Sequence, residues 1–438
     1  MNIRTRILRA AVAAGCLLLL APTLGAQIIP AHDRARGRTM LRQVRAQIEQ
    51  HYYDPTFNGL DLDAREAHAD SIIQHATSLG EMLAAIAALT RELGDSHTFF
   101  IPPWQTVTAS YGWDMMIVGD SAFVTFVAAR SDAERQGVRV GDRVLAVNGH
   151  APTRANLWSM FYVFRALSPQ PGLRVVMRAP GGEPRQLDLA ARVRRRSRIM
   201  DLTGAGAGQD IHTLIREAQN EADAMRPRFA QVGDVLVWKL PTFFVDDEQI
   251  RGGLRRARRG RALVLDLRDN GGGPIDRLLA LLGGLRPDSV LVGMERERTG
   301  MAPLMAAGGG ADAFTGEVVV LVDSRSASAS EVMARVVQLT GRGMVMGDRT
   351  SGAVSRGRFE VLEMGVDRVM VYGVMVGDAQ LLMADGGNLE GVGVLPDTVI
   401  LPTAVQLAAG DDPVLAEALT FLGVPTDPAA AGALFPKD

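Results

Sequence analysis

Apolar residues recur at helical spacing over residues 40–52 and 79–93, so residues 30–93 read as a helical region. Gly94 suits the position that ends the second helix, Asp95-Ser96-His97-Thr98 follows as a loop, and Pro102-Pro103 marks a boundary. Beyond it the period shortens towards two. Strands are expected at 113–118, 122–127, 143–147 and 173–178, which makes residues 106–195 a small β-rich unit. Residues 196–228 read as a polar, glycine-containing and then helical connector. From Gly233 onward strands (235–240, 262–267, 318–322, 343–346, 369–374) alternate with helices (278–285, 331–339), the pattern of an α/β layer. The Ala/Gly-rich stretch 301–315 reads as a mobile insertion, and the tail 409–438 as one helix followed by a Pro/Ala-rich end. The expected organisation is a leader (1–26), an N-terminal helical region (27–104), the β-rich unit (105–196), a connector (197–230), the α/β core (231–405), and a C-terminal helix and tail (406–438).

Composition changes this picture mainly at the N-terminus. The 438 residues can hold two or three domains, and 47% hydrophobic with 22% charged residues is ordinary for a soluble globular chain. Arg4, Arg6 and Arg9, the apolar run 10–20 and the small residues Leu24-Gly25-Ala26 before Gln27 form a secretory leader, so an exported protein, periplasmic or extracellular, is expected. Losing this leader takes the formal charge from −2 to −5 and removes the lone cysteine, Cys16. Ala13 stands where a lipobox on Cys16 would carry Leu. No disulfide, Cys-based metal site or membrane span is expected in the mature chain, and the charge is too dispersed for a nucleic-acid partner. The basic clusters 194–198 and 251–261 read as solvated faces.

Four stretches carry candidate chemistry. Ser326-Ala327-Ser328-Ala329-Ser330-Glu331 lies between a strand end and a helix start, where free amides and the helix dipole stabilise a developing oxyanion. The same run also has the Ser-x-x-Glu spacing of a simple capping box, Ser328 with Glu331. Leu265-Asp266-Leu267-Arg268-Asp269-Asn270-Gly271-Gly272-Gly273 is a buried strand ending in glycines, whose amides a reacting group can approach, or else only a tight turn. His97 sits in the Asp95–Thr98 loop, and Glu390 in Leu389-Glu390-Gly391-Val392-Gly393-Val394-Leu395-Pro396-Asp397; alone they read as a loop histidine and a loop acid. The chain has only two lysines, Lys239 and Lys437, which leaves few bases for a serine.

Residues 133–149, with Gly141-Asp142, an apolar strand and Asn148-Gly149, closely resemble the signature of a PDZ domain. In order and context the whole set resembles the S41 serine peptidases, the carboxy-terminal processing and tricorn-type proteases. That resemblance implies a ClpP/crotonase-like spiral α/β core with an inserted β-rich PDZ domain and an N-terminal helical region. It implies peptide-bond hydrolysis through an acyl-enzyme on Ser328, without metal or organic cofactor. Oxyanion donors would be the amides of Ala329 and of Gly271 or Gly272. Ala353 stands where the processing branch carries its lysine base, so the tricorn-type arrangement is implied instead: His97 as base, with Glu390 and Ser96 in support. The PDZ domain would bind or gate a polypeptide substrate by its C-terminus, using Tyr111, Gly112 and Trp113. The departure at Ala353 also fits a rival, a peptide-binding pseudoprotease; a crotonase-like acyl-CoA enzyme would share the core but not the leader or the PDZ insertion.

Overall fold

The structure, a computed structural model, describes residues 30–103, 107–195, 225–365 and 369–435. The leader, most of the expected connector and Lys437 lie outside the described residues.

Three helices open the chain: α1 (Ala31–His51), α2 (Leu62–His75) and α3 (Leu79–Arg91). Asp61 and Ser78 cap the second and third by accepting from the amides of Ala64 and Glu81. Their inner faces, Met40, Val44, Ile73, Leu83 and Ile86 among them, share one apolar cluster with Phe100, Tyr372, Val374 and Val376. The N-terminal region is thus packed on strands that arrive much later in the chain. Strand β1 (Phe99–Ile101) leads out of the His97 loop.

The β-rich unit follows. It opens with β2 (Val107–Ser110). β3 (Trp113–Val118), β4 (Ser121–Val127), the one-turn α4 (Asp132–Arg135), β5 (Arg143–Val147), β6 (Gly172–Arg178) and β7 (Pro184–Ala190) make an antiparallel sheet in the order β3-β4-β5-β6-β7, with β3 at its edge. Between β5 and β6, α5 (Leu157–Phe161) continues into a π-helical turn, Tyr162–Leu167. β8 (Arg192–Arg195) closes the two-stranded ribbon with β2. Four strands expected from alternation are present, two of them starting one residue earlier.

The α/β core comprises β9 (Arg228–Val232), β10 (Val235–Lys239), α6 (Asp247–Ala257), β11 (Ala262–Asp266), α7 (Ile275–Gly284), β12 (Val290–Glu297), β13 (Gly300–Ala306), β14 (Glu317–Val322), α8 (Ala329–Leu339), β15 (Met344–Gly347), β16 (Arg356–Met364), β17 (Met370–Met383) and β18 (Thr398–Val399). Its main sheet runs β18-β15-β14-β11-β10-β9, with every pairing parallel except β9 on β10. Strands buried on both faces, such as Ala262–Asp266, read as continuous apolar runs for this reason. α6, α7 and α8 cover one face of the sheet. The other face is covered by α10 (Pro413–Phe421) and α11 (Pro428–Ala433), which follow the short α9 (Ala404–Ala409). A second sheet joins β1, β17, β12 and β13, with β16 paired to β17.

Two expectations need correction. The 301–315 stretch is no loose insertion: β13 pairs along β12, and Ala306 and Phe314 lie in the core, the alanines being small enough to fit beneath α7. The tail carries two packed helices after residue 409, because Pro428 begins α11 at a position where a missing amide proton costs nothing. The basic cluster 251–261 is the expected solvated face: its arginines are exposed, with Arg251, Arg255 and Arg256 on α6, which is capped by an Asp246/Gln249 box and buries Ile250, Leu254 and Ala257 on its other side.

Candidate active site

β14 delivers the chain to a tight turn. The buried Asp323 carboxylate accepts from the amides of Asp269, Arg325 and Ser326 at 3.1, 2.9 and 3.1 Å. Of the three serines in the run, two are structural. Ser326 Oγ donates to the Leu267 carbonyl at 2.8 Å and Ser330 Oγ to the Asn270 carbonyl at 3.0 Å, and both side chains are buried. Ser328 is partly exposed and its hydroxyl makes no cap hydrogen bond; the Glu331 amide donates to the Ser328 carbonyl instead, at 2.9 Å.

Ser328 has φ 55° and ψ −118°, a conformation that costs a non-glycine residue about 1–3 kcal/mol. Its amide is held from two sides, by the Ala353 carbonyl at 2.7 Å and Glu331 Oε2 at 3.1 Å. The Glu331 carboxylate is buried and also accepts from Thr350 Oγ1 (2.6 Å), Gly352 N (2.7 Å) and Ala353 N (2.8 Å). Burial pushes its pKa up to about 7, against the opposing pull of these donors. Sequence reasoning saw in Glu331 only a cap. Its signal is an acidic residue leading directly into an apolar stretch, Val332, Met333 and Ala334.

β11 delivers the glycine loop. Asn270, fully buried, donates from Nδ2 to the Leu240 carbonyl at 2.7 Å and accepts at Oδ1 from Gly272 N at 2.8 Å. The Gly272 amide is therefore occupied, whereas those of Gly271 and Ala329 have no hydrogen-bond partner among the described residues. Gly272 is required for another reason. Its φ is 95°, and a Cβ there would lie 2.7 Å from Ser328 Cβ. A Cβ on Gly271 would meet nothing within 4 Å, so space opens beside its amide.

The third part comes from the loop after α3. Glu390 Oε1 accepts from Ser96 N at 2.7 Å, and Oε2 from Ser96 Oγ at 3.1 Å. Oε2 also receives Val354 N (2.8 Å), Ser355 N (3.0 Å) and Ser355 Oγ (3.2 Å). Ser96 Oγ lies 2.8 Å from His97 Nδ1. A hydroxyl has one proton, and this one goes to Glu390; Ser96 Oγ must then accept from His97 Nδ1–H. That assigns the tautomer and leaves Nε2 with a lone pair. Burial lowers the pKa of His97 below 6.5, against the charges of Glu390 and Asp95. Asp95, its own pKa raised by burial, orders the loop by accepting from His97 N (2.9 Å) and Thr98 Oγ1 (2.8 Å).

One segment, residues 353–357, ties these parts together. Ala353 backs the Ser328 amide, Val354 and Ser355 hold Glu390, and a Cβ on Gly357 would lie 3.2 Å from His97 Cβ. No hydrogen bond joins His97 to Ser328 among the described residues. Lys239 Nζ sits 3.4 Å from Asp266 Oδ2, in an ion-pair cluster with Arg268 and Asp412. Tyr111 and Trp113 lie elsewhere, lining a cleft in the β-rich unit with Met115, Phe161, Phe164 and Leu173. Between them, Gly112 accepts from Ala128 N at 2.9 Å.

With this geometry in view, the similarities to known proteins have a physical setting. Residues 234–400 match the model of Peptidase family S41. The chain is 25% identical over 405 residues to the C-terminal processing peptidase, chloroplastic, of Tetradesmus obliquus, covering 87% of this chain and 82% of that protein. It is 24% identical over 418 residues to Tricorn protease homolog 1 of Streptomyces coelicolor, covering 88% of this chain and 35% of that protein. Among solved structures, mature CPAF complexed with lactacystin shares the fold, with a TM-score of 0.62, 15% identity, and coverage of 86% of this chain and 95% of that one. The protein is a serine-type peptidase. It is S41-like, and its family match spans the main sheet from β10 to β18, the glycine loop and the serine run.

Proposed function

We propose that the protein is an exported serine endopeptidase in which Ser328 is the nucleophile, His97 the base, and Glu390 with Ser96 the orienting pair. The observation that carries the reading is the relay from Glu390 through Ser96 Oγ to His97 Nδ1, since it leaves Nε2 as a proton acceptor. His97 Nε2 takes the Ser328 proton as Oγ attacks the peptide carbonyl. Negative charge then develops on the carbonyl oxygen beside the amides of Gly271 and Ala329 at the start of α8. The imidazolium gives its proton to the departing amine, and water, activated by the same imidazole, frees the acyl group from Ser328. Gly272, whose amide is held by Asn270, serves by leaving room for Ser328 Cβ. Ala353 supports a histidine rather than a lysine base: its amide and carbonyl clamp the serine turn, and its side chain is a methyl group.

The β-rich unit reads as a PDZ domain that binds or gates the polypeptide, with its cleft at Tyr111 and Trp113 beside the edge strand β3. Export rests on the leader in residues 1–26. Among the described residues, no helix is long and apolar enough to cross a membrane.

A fluorophosphonate probe tests the catalytic reading. Wild type is expected to be labelled at Ser328 and to cleave casein; Ser328→Ala loses both, and His97→Ala loses about 10²–10⁴-fold in rate. Full activity in His97→Ala overturns the base assignment. Absence of labelling and cleavage in wild type favours a binding protein.

A further inference from the structure

The face of the second sheet that carries His97 is apolar and open. Side chains alternate along β16 and β17. Leu362, Tyr372, Val374 and Val376 turn towards the N-terminal helices. The opposite set forms rows across three strands: Phe359 pairs with Met375 and Met375 with Phe99, while Val361 pairs with Gly373 and Glu363 with Val371. Phe359 is 51% exposed, Val361 56% and Val371 43%. Phe99 contacts the ring of Trp158 edge-on at 5.5 Å, and Trp158 is half-exposed. The strip begins at the proposed base, since a Cβ on Gly357 would lie 2.9 Å from Met375 Sδ and 3.2 Å from His97 Cβ. From residue 357 to 361 it runs ~13 Å, the reach of about four extended residues. β16 pairs only with β17 among the described residues, so its outer edge is open to an added strand.

The geometry points to this strip as the subsite that seats large apolar side chains of an extended substrate segment beside the cleaved bond. It rests on the catalytic reading above in one respect, that His97 marks the reacting end. A polypeptide fits better than a second copy. The strip is about two strand spacings wide, so it presents on the order of 150 Å², far below the ~800 Å² per partner of a stable interface. A copy seated there would also cover His97. The enzyme therefore selects unfolded, apolar stretches, because a folded partner hides such side chains.

Binding to Ser328→Ala decides the matter without any chemistry. The probes are two acetylated, amidated decapeptides, one carrying a Phe-Leu pair and the other Ser-Ser at the same place. Blocked ends keep terminal-carboxylate capture in the β-rich unit out of the measurement. Calorimetry is expected to show the Phe-Leu peptide bound at least about tenfold more tightly, and Val361→Lys or Phe359→Ser added to Ser328→Ala to erase that difference. Val361, more than half exposed, can be replaced without loss of core packing, so a misfolded Phe359→Ser protein would not decide the result. Equal affinity for the two peptides, or a preference unmoved by Val361→Lys, overturns the assignment. A dimer of the parent that Val361→Lys dissociates in sedimentation also overturns it. Failure of Ser328 labelling in wild type bears on the catalytic reading alone.

Discussion

At the scale of single residues, His97 and Glu331 are the informative pair. Burial holds His97 below its usual pKa, so it is neutral and basic at pH 7. The acid limb of kcat/KM for casein is expected to have its midpoint below pH 6.5. Glu390→Gln removes a charge that favours the imidazolium, so this limb should move lower still while kcat falls. A limb that moves upward contradicts the relay. Glu331 behaves in the opposite sense. Its folded pKa, about 7, lies above the unfolded value of 4.5, so the folded state holds the proton longer. The stability it contributes is full below pH 4.5, declines as pH rises to about 7, and is then lost. The difference is about 3 kcal/mol across that window. Denaturant unfolding of wild type and Glu331→Gln at pH 4.5 and pH 8 should show that part of the slope missing in the variant.

At the scale of elements, the site depends on two strand-to-helix turns meeting at right register. β11 and β14 are parallel neighbours, which sets the glycine loop beside the serine turn. Gly272→Ala tests that meeting. The new Cβ would press on Ser328 Cβ, at a φ that alanine adopts only with strain. A stability loss of about 1–3 kcal/mol is expected, with fluorophosphonate labelling slowed more than the folded fraction explains. These two turns were legible in the sequence because each is an apolar run that stops abruptly at polar or glycine residues. β16 was not. It alternates Arg358, Phe359, Glu360, Val361 and Leu362 without a clean polar face, because its outward face carries apolar residues.

At the scale of the whole molecule, the β-rich unit is fastened to the core next to the serine run. Arg325 donates to Asp114 Oδ2 (2.9 Å) and to the Met115 carbonyl (2.6 Å), and Ser324 Oγ to the Ile117 carbonyl. Arg154 reaches Asp348, the Arg349 carbonyl (2.8 Å) and the Gly119 carbonyl (2.9 Å). Arg154→Ala leaves Asp348 half-paired in a poorly solvated place, at a cost of about 1–3 kcal/mol. Faster hydrogen exchange at Gly119 and along β3 and β4 is the expected outcome; unchanged exchange there means the unit is held by other contacts. Local pattern by itself determined the N-terminal helical region, α7, α8, half of the described strands, the serine run and the glycine loop, because each is encoded within ten or so neighbouring residues. Which serine is left unbonded, which glycine amide is left free, and the bridge from Glu390 to His97 were decided only by tertiary structure. Those depend on partners up to 294 residues apart, and no local period records them.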